Sequence, residues 1–263
     1  MPQTPKDLHP TFLLSSGCLF DRSLAECAAI CVDAGFDGME LILAHTDMLD
    51  VQELQRQLGE CRVISIHAPF RRWALWGGHL HAWKKAVALG NALPHTRHIT
   101  LHPPHFRQGE LSLFWWFRAS MDLPCDMEAG TNLTLALENL PWNERSPFAK
   151  DPLISLAFLC AQKRTGMTLD TCHLGVSGYD ILAAWERIPR GIVSNVHFSD
   201  ASGFKEHLWP GQGDLPLRAF LSLIAQDAYT GNITLEVTPA AFAGENPVPK
   251  LRALREEMEA FFV

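Results

Sequence analysis

Short apolar runs alternate with helical stretches along this chain, and six of the runs stop on an acid or an imidazole. Val63 to His67, Ile99 to His102, Leu133 to Glu138, Gly166 to Asp170, Val193 to His197 and Ile233 to Glu236 all have this form. A parallel strand covered on both faces is expected to be apolar along its length. A buried ligand-type residue at its last position is therefore out of place unless something there requires it. Six such endings point to one shared site.

The runs and the segments between them give an ordered series. Thr11 to Ser16 reads as a strand, and Ser23 to Ala34 as a helix stopped by Gly35. A strand follows from Phe36 to Leu43, with Glu40 inside an otherwise apolar run, then a helix from Val51 to Leu58 and a strand from Cys61 to Ile66. After a loop from Arg71 to Gly78 come a helix from His79 to Leu89, a strand from His98 to Leu101, and a helix around Glu110 to Ser120. Next are a strand from Asn132 to Leu137, a helix from Pro147 to Gln162, and the strand Met167 to Leu169. The series closes with a helix near Ile181 to Ile188, the strand Ile192 to Phe198, a loop from Ser199 to Asp214, a helix from Leu215 to Ala225, the strand Ile233 to Val237 and a helix from Pro249 to Phe262. Eight strands, each followed by helix-compatible sequence, indicate an α/β protein built as a single (β/α)8 TIM barrel. No linker divides residues 1–263, and no Gly-rich nucleotide loop follows any strand, which disfavours an open doubly wound sheet.

Composition narrows the partners. With 47% hydrophobic and 19% charged residues the chain has enough apolar material for a large core, and its apolar runs are too short to span a bilayer. The first ten residues lack the basic start and apolar centre of a secretory signal, so a cytoplasmic location is expected. Seven scattered cysteines without close pairing agree with that, and Cys27 and Cys31 read as core packing. A net charge of −7 disfavours a broad basic face for nucleic acid and favours a small polar substrate. Of eight tryptophans, Trp73, Trp76, Trp83, Trp115, Trp116, Trp142 and Trp209 fall near strand ends, where they would stack on a ring or simply fill space.

In a barrel of this kind the site lies where strands end, so His67, His102, Glu138, Asp170, His197 and Glu236 are expected to converge. Imidazole and carboxylate without thiolate suit Zn²⁺, Mn²⁺, Co²⁺, Fe²⁺ or Mg²⁺. Glu138, Asp170, His197 and Glu236 would hold one divalent ion; His67 and His102 would complete a second one bridged by Glu138, or orient substrate oxygens. Glu40, Asn139, His173, Asp200 and His207 form an outer tier: Glu40 would contact substrate or a ligand or make a structural hydrogen bond, Asn139 is assigned to substrate, His173 and His207 to a further metal or to substrate, and Asp200 is read as an outer partner of His197. Arg71 and Trp73 would bind a phosphate or a ring. Cys172 is read as packing.

These residues resemble the xylose isomerase-like barrel superfamily, which includes sugar isomerases and epimerases and the endonuclease IV group (AP endonuclease family 2). The resemblance rests on His67-Ala68-Pro69, His102-Pro103, Glu138-Asn139, Asp170-Thr171-Cys172-His173, Gly178-Tyr179-Asp180, His197 with Asp200, His207 with Gly211-Gln212-Gly213, and Glu236. It implies one of two chemistries. In the epimerase branch, the residues matching Glu138, Asp170, His197 and Glu236 hold one metal, and Glu138 and Glu236 move a proton through an enediolate held on it. In the endonuclease IV branch, His67, His102 and Glu138 hold a first zinc, the four-residue set a second, and His173 with His207 a third.

The third site departs from that branch, because Lys205 stands where it has an aspartate, and Glu206 points elsewhere in an extended segment. The DNA-gripping loops also differ, at Ser16-Gly17-Cys18, at Ala44-His45-Thr46-Asp47 and at Phe70. The expectation is a metal-dependent isomerase or epimerase of a sugar or sugar phosphate with one to three ions. A zinc phosphodiesterase acting on nucleic acid is the alternative, and oligomeric state is left open.

Overall fold

A computed structural model describes residues 9–103, 132–141 and 152–263. Eight parallel strands close on themselves: β1 (Thr11–Ser15), β2 (Gly38–Ile42), β3 (Val63–His67), β4 (His98–Leu101), β5 (Thr134–Glu138), β6 (Gly166–Asp170), β7 (Val193–Phe198) and, after a hairpin, β10 (Asn232–Leu235), which pairs with β1. The hairpin between the last two barrel strands is β8 (Asp200–Ser202) and β9 (Lys205–Leu208). Residues 199–214 read as a loop in the sequence, because these strands are short and carry no apolar run.

The described helices are α1 (Leu24–Asp33), α2 (Val51–Leu58), α3 (His79–Ala92), α4 (Pro152–Lys163), α5 (Thr171–Val176), α6 (Ile181–Arg187), α7 (Leu217–Gln226) and α8 (Pro247–Glu259). Their starts are written locally. Ser23 and Glu26 form a reciprocal capping box on α1, while Asp50, Asp170, Asp180 and Asn246 cap α2, α5, α6 and α8 with side-chain oxygens. Short α5 did not register in the sequence, being one turn long. The helix expected around Glu110 to Ser120, the start of the one expected from Pro147, and Trp115, Trp116 and Trp142 lie outside the described residues. Among those described, no helix is long and apolar enough to cross a membrane.

The barrel interior corrects one expectation, since its strands are not apolar along their length. Side chains two apart share a face of a strand, and two positions before most of the strand-end ligands stands a small or polar residue: Ser65 before His67, Thr100 before His102, Ala136 before Glu138, Thr168 before Asp170, Asn195 before His197 and Thr234 before Glu236. All six are fully buried. The apolar residues between them, such as Ile66, Ile99, Leu137, Leu169, Val196 and Leu235, belong to the continuous hydrophobic core. Beneath this layer Gly166 leaves room for Ser194, whose hydroxyl oxygen would lie 2.4 Å from a β-carbon at that position.

Candidate metal centre

The strand ends bring Glu138, Asp170, His197 and Glu236 together, with donor atoms all within 4.8 Å of one another, and bring His67 and His102 to Glu138 with the same closeness. Glu138 is the hub. Its Oε2 lies 3.1 Å from His67 Nε2 and 3.0 Å from His102 Nε2, and its Oε1 lies 3.2 Å from His197 Nδ1 and 3.4 Å from His173 Nδ1. His197 Nδ1 also faces Glu236 Oε2 at 2.7 Å and Asp170 Oδ2 at 3.8 Å.

Backbone carbonyls fix the orientation of three imidazoles. A carbonyl only accepts, so His67 Nδ1 donates to Ala68 (2.9 Å), His173 Nδ1 to Asn139 (2.9 Å) and His207 Nδ1 to Glu236 (3.2 Å). Each ring is therefore left with Nε2 as the nitrogen it could offer an ion once that atom gives up its proton, the usual way a fold sets a ligand's tautomer. Cys172 Sγ lies 3.6 Å from His207 Nδ1, the nitrogen already held, which suits the packing role read from the sequence.

Charge in the cluster is unbalanced. Burial alone would raise the Glu138 carboxyl, but His102 and His197 outweigh it and hold Glu138 well below the usual range. Burial likewise opposes ionisation of Glu236, and His197 reverses that and keeps it low. Burial disfavours charge on the imidazoles too. Even so, Glu138 lifts His67 to about 8, Asp170 and Glu138 lift His173 to about 10, and Glu236, Glu40 and Glu138 hold His197 well above its ordinary range. His102 is the exception, lowered by burial. Without an ion, protons on imidazoles do the work of a cation.

The residues fit a divalent ion on a further ground. Asp170 Oδ2 and Glu236 Oε2 are buried oxygens without a hydrogen-bond partner, and both face His197 Nδ1. Buried unpartnered carboxylate oxygens are costly unless a charge meets them.

The remaining expected site residues divide. Arg71 lines a cleft of about 540 Å³ above the cluster, its guanidinium carbon 5.0 Å from the Phe70 ring centre. Trp73, assigned to substrate from its place in the loop, instead packs its ring 4.3 Å from His79 outside the cleft lining. Asn139, also assigned to substrate, is fully buried. Its amide donates to the Asp170 carbonyl (3.0 Å) and accepts from the Asp170 N–H (2.8 Å), so it locks the end of β5 to that of β6.

Glu40 needs the same correction. It is fully buried below the cluster, where Ser65, Thr100 and Asn195 donate to its Oε2 and its Oε1 lies 3.0 Å from His197 Nε2. Asp200 does not partner His197. Its carboxylate accepts the N–H groups of Ala201, Gly211, Gly213 and Leu215 and so shapes the loop after the hairpin. A β-carbon at Gly213 would come within 2.4 Å of Asp200 Oδ1, so this clamp requires glycine there.

Glu206 was expected to point away from His207, yet both line the cleft. The reason is local: His207 has φ +54°, a left-handed conformation that breaks the two-residue alternation of a strand. The polar layer of Ser65, His98, Thr100, Thr168, Asn195 and Thr234 was missed as well. Its signal was present, in hydrophilic residues two before five of the six ligands, with Ala136 before Glu138 the exception.

A profile for the xylose isomerase-like TIM barrel matches residues 28–262. The chain belongs to that family. An uncharacterised protein from Mycobacterium leprae is 27% identical over 239 residues, covering 79% of this chain and 81% of its own. Among solved structures, 3-keto-D-glucoside 4-epimerase YcjR from E. coli has a TM-score of 0.73 at 16% identity, covering 95% of this chain and 99% of its own. IolI protein with a binding zinc atom also has a TM-score of 0.73, at 14% identity, covering 96% and 98%. At these identities the structural likeness concerns the fold, and the xylose isomerase-like barrel is that fold.

Proposed function

We propose that the protein is a divalent-metal-dependent isomerase or epimerase of a sugar or sugar phosphate. The observation that carries this is the ring of Glu138, Asp170, His197 and Glu236, in which two buried carboxylate oxygens have no hydrogen-bond partner. These four residues would hold the ion, and the epimerase and the zinc-bound protein of similar fold support the class. A bound divalent ion would polarise a substrate carbonyl and make the neighbouring C–H more acidic.

The chain's own groups supply the rest. Glu138 and Glu236 are held ionised, the state in which a carboxylate can take a proton from carbon. Both line the cleft, and Glu236 is the more accessible, its side chain 15% exposed against 1% for Glu138. One carboxylate removes the proton beside the carbonyl, and a proton returns to the same carbon from the other side for epimerisation or to the neighbouring carbon for isomerisation. Arg71 and the Phe70 ring at the rim offer a cation and an apolar face to the far end of the substrate.

The test is isotopic. Protein loaded with Mn²⁺, Zn²⁺ or Co²⁺ is incubated in heavy water with a panel of ketoses and their phosphates, and deuterium is expected beside the carbonyl of at least one. No incorporation with any member of the panel sinks the reading. A second reading, a zinc-dependent phosphodiesterase, is favoured by the His67, His102 and Glu138 group, which offers a second ion a place sharing Glu138. Two or three zinc ions per chain together with cleavage of an abasic-site duplex would establish it instead.

A further inference from the structure

A column of hydrogen bonds descends from the candidate metal centre through the barrel interior, and the direction of its protons can be worked out group by group. Ser65 Oγ donates its only proton to Glu40 Oε2 at 2.6 Å. Its contact with His98 Nδ1, at 3.0 Å, must then be one in which the ring donates. His98 is fully buried and burial pushes it down to about 4, so the ring is neutral, and its Nε2 accepts from Ser194 Oγ at 3.0 Å. Thr100 and Asn195 also donate to Glu40 Oε2, at 3.3 and 3.1 Å, and Thr234 holds the Asn195 amide oxygen at 2.9 Å. Three donors thus converge on one oxygen of Glu40. The other oxygen faces His197 Nε2 alone, 3.0 Å away.

We propose that Glu40 is the positioning residue for His197, dictating that this imidazole carries its proton on Nε2 and offers Nδ1 to the ion. His67, His173 and His207 have their protonated nitrogen on a backbone carbonyl, which no substitution can remove. The orientation of His197 rests instead on a side chain, and a carboxylate makes its ring a stronger donor than a carbonyl would. The contact at 3.0 Å is close but not aligned as a hydrogen bond, leaving His197 Nε2 and Glu40 Oε1 formally unpartnered.

The inference rests on the reading of His197 as a ligand. Glu40→Gln tests it sharply. The three donors on the Oε2 side require an acceptor, so the glutamine amide oxygen would take that place and its NH₂ would face His197 Nε2. A donor there forces the proton to Nδ1, the nitrogen meant for the ion. Affinity for Zn²⁺ or Mn²⁺, measured by calorimetry, is expected to fall about 10- to 100-fold.

In zinc-loaded protein labelled with ¹⁵N-histidine, the wild type should show His197 protonated on Nε2 with a slowly exchanging ring proton, a signal lost or moved in Glu40→Gln. Should that variant not fold, Ser65→Ala, which removes one of three donors to the Glu40 carboxylate, is expected to weaken ion binding roughly fivefold, a fraction of the loss of the carboxylate itself. Wild-type protein with His197 protonated on Nδ1, or Glu40→Gln binding ions as tightly as wild type, overturns the inference alone. Wild-type protein that takes up no ion overturns it together with the functional proposal.

Discussion

The two polar layers of the barrel are built from similar residues and behave oppositely. In the upper layer Glu138, Asp170 and Glu236 face His67, His102 and His197 with more acceptors than donors, and two carboxylate oxygens remain unpartnered. In the lower layer Ser65, His98, Thr100, Asn195 and Thr234 donate and accept around Glu40 until only its face toward His197 is open. A satisfied buried network rigidifies a fold, and an unsatisfied one marks a place where something else binds. The contrast separates the machinery from its support.

The largest expected break in this comparison is Asp170→Asn. Replacing an unpartnered charged oxygen with an amide removes a candidate ligand from the upper layer and should lower ion affinity by more than about 100-fold, beyond what an outer partner is worth. Calorimetry with Zn²⁺ or Mn²⁺ checks it. An affinity unchanged from wild type would mean that the orphaned oxygen has another purpose.

The pH response of the upper layer comes next. In metal-free protein His67 and His173 are raised to about 8 and about 10, so what they add to stability is complete below about pH 6.5 and is lost as pH rises through those values. Glu138 and Glu236 are depressed, so their share is present above about pH 4.5 and is lost on acidification. The melting temperature of metal-free protein should therefore fall between pH 6.5 and 9, while the rise produced by adding an ion should grow, because the ion replaces departing protons. Melting curves that are flat over this range with and without ion would contradict the charge imbalance.

The smallest effect is expected at the rim. Arg71 is exposed and touches neither layer, so Arg71→Ala should leave ion affinity alone and raise KM for a phosphorylated substrate by about two- to fivefold, the scale of an exposed charge contact. Steady-state kinetics with a sugar and its phosphate decide whether the rim discriminates between them.

Much of the barrel was legible because strand ends announce themselves: each apolar run that stops on His, Asp or Glu marks where a buried strand meets the mouth. The helices from Ser23, Val51 and Ile181 were legible too, from their apolar spacing, while the caps at Ser23 with Glu26, Asp50, Asp180 and Asn246 emerged with the structure. The hairpin Asp200–Leu208 was not, since its strands are too short to carry a pattern and Asp200 shapes the following loop through backbone N–H groups. Glu40, Asn139 and Trp73 show how a residue type suited to substrate can be turned to other uses by its neighbours.

The sequence by itself determined the barrel and which six acids and imidazoles end its strands, because the alternation of apolar runs with helical stretches and the residue on which each run stops are one-dimensional facts. Only the tertiary structure decided which nitrogen each imidazole presents, which oxygens stay unpartnered, and that Glu206 and His207 share one cleft. Those outcomes depend on atoms brought together from distant strands, and on one left-handed backbone angle at His207, and no local pattern encodes either.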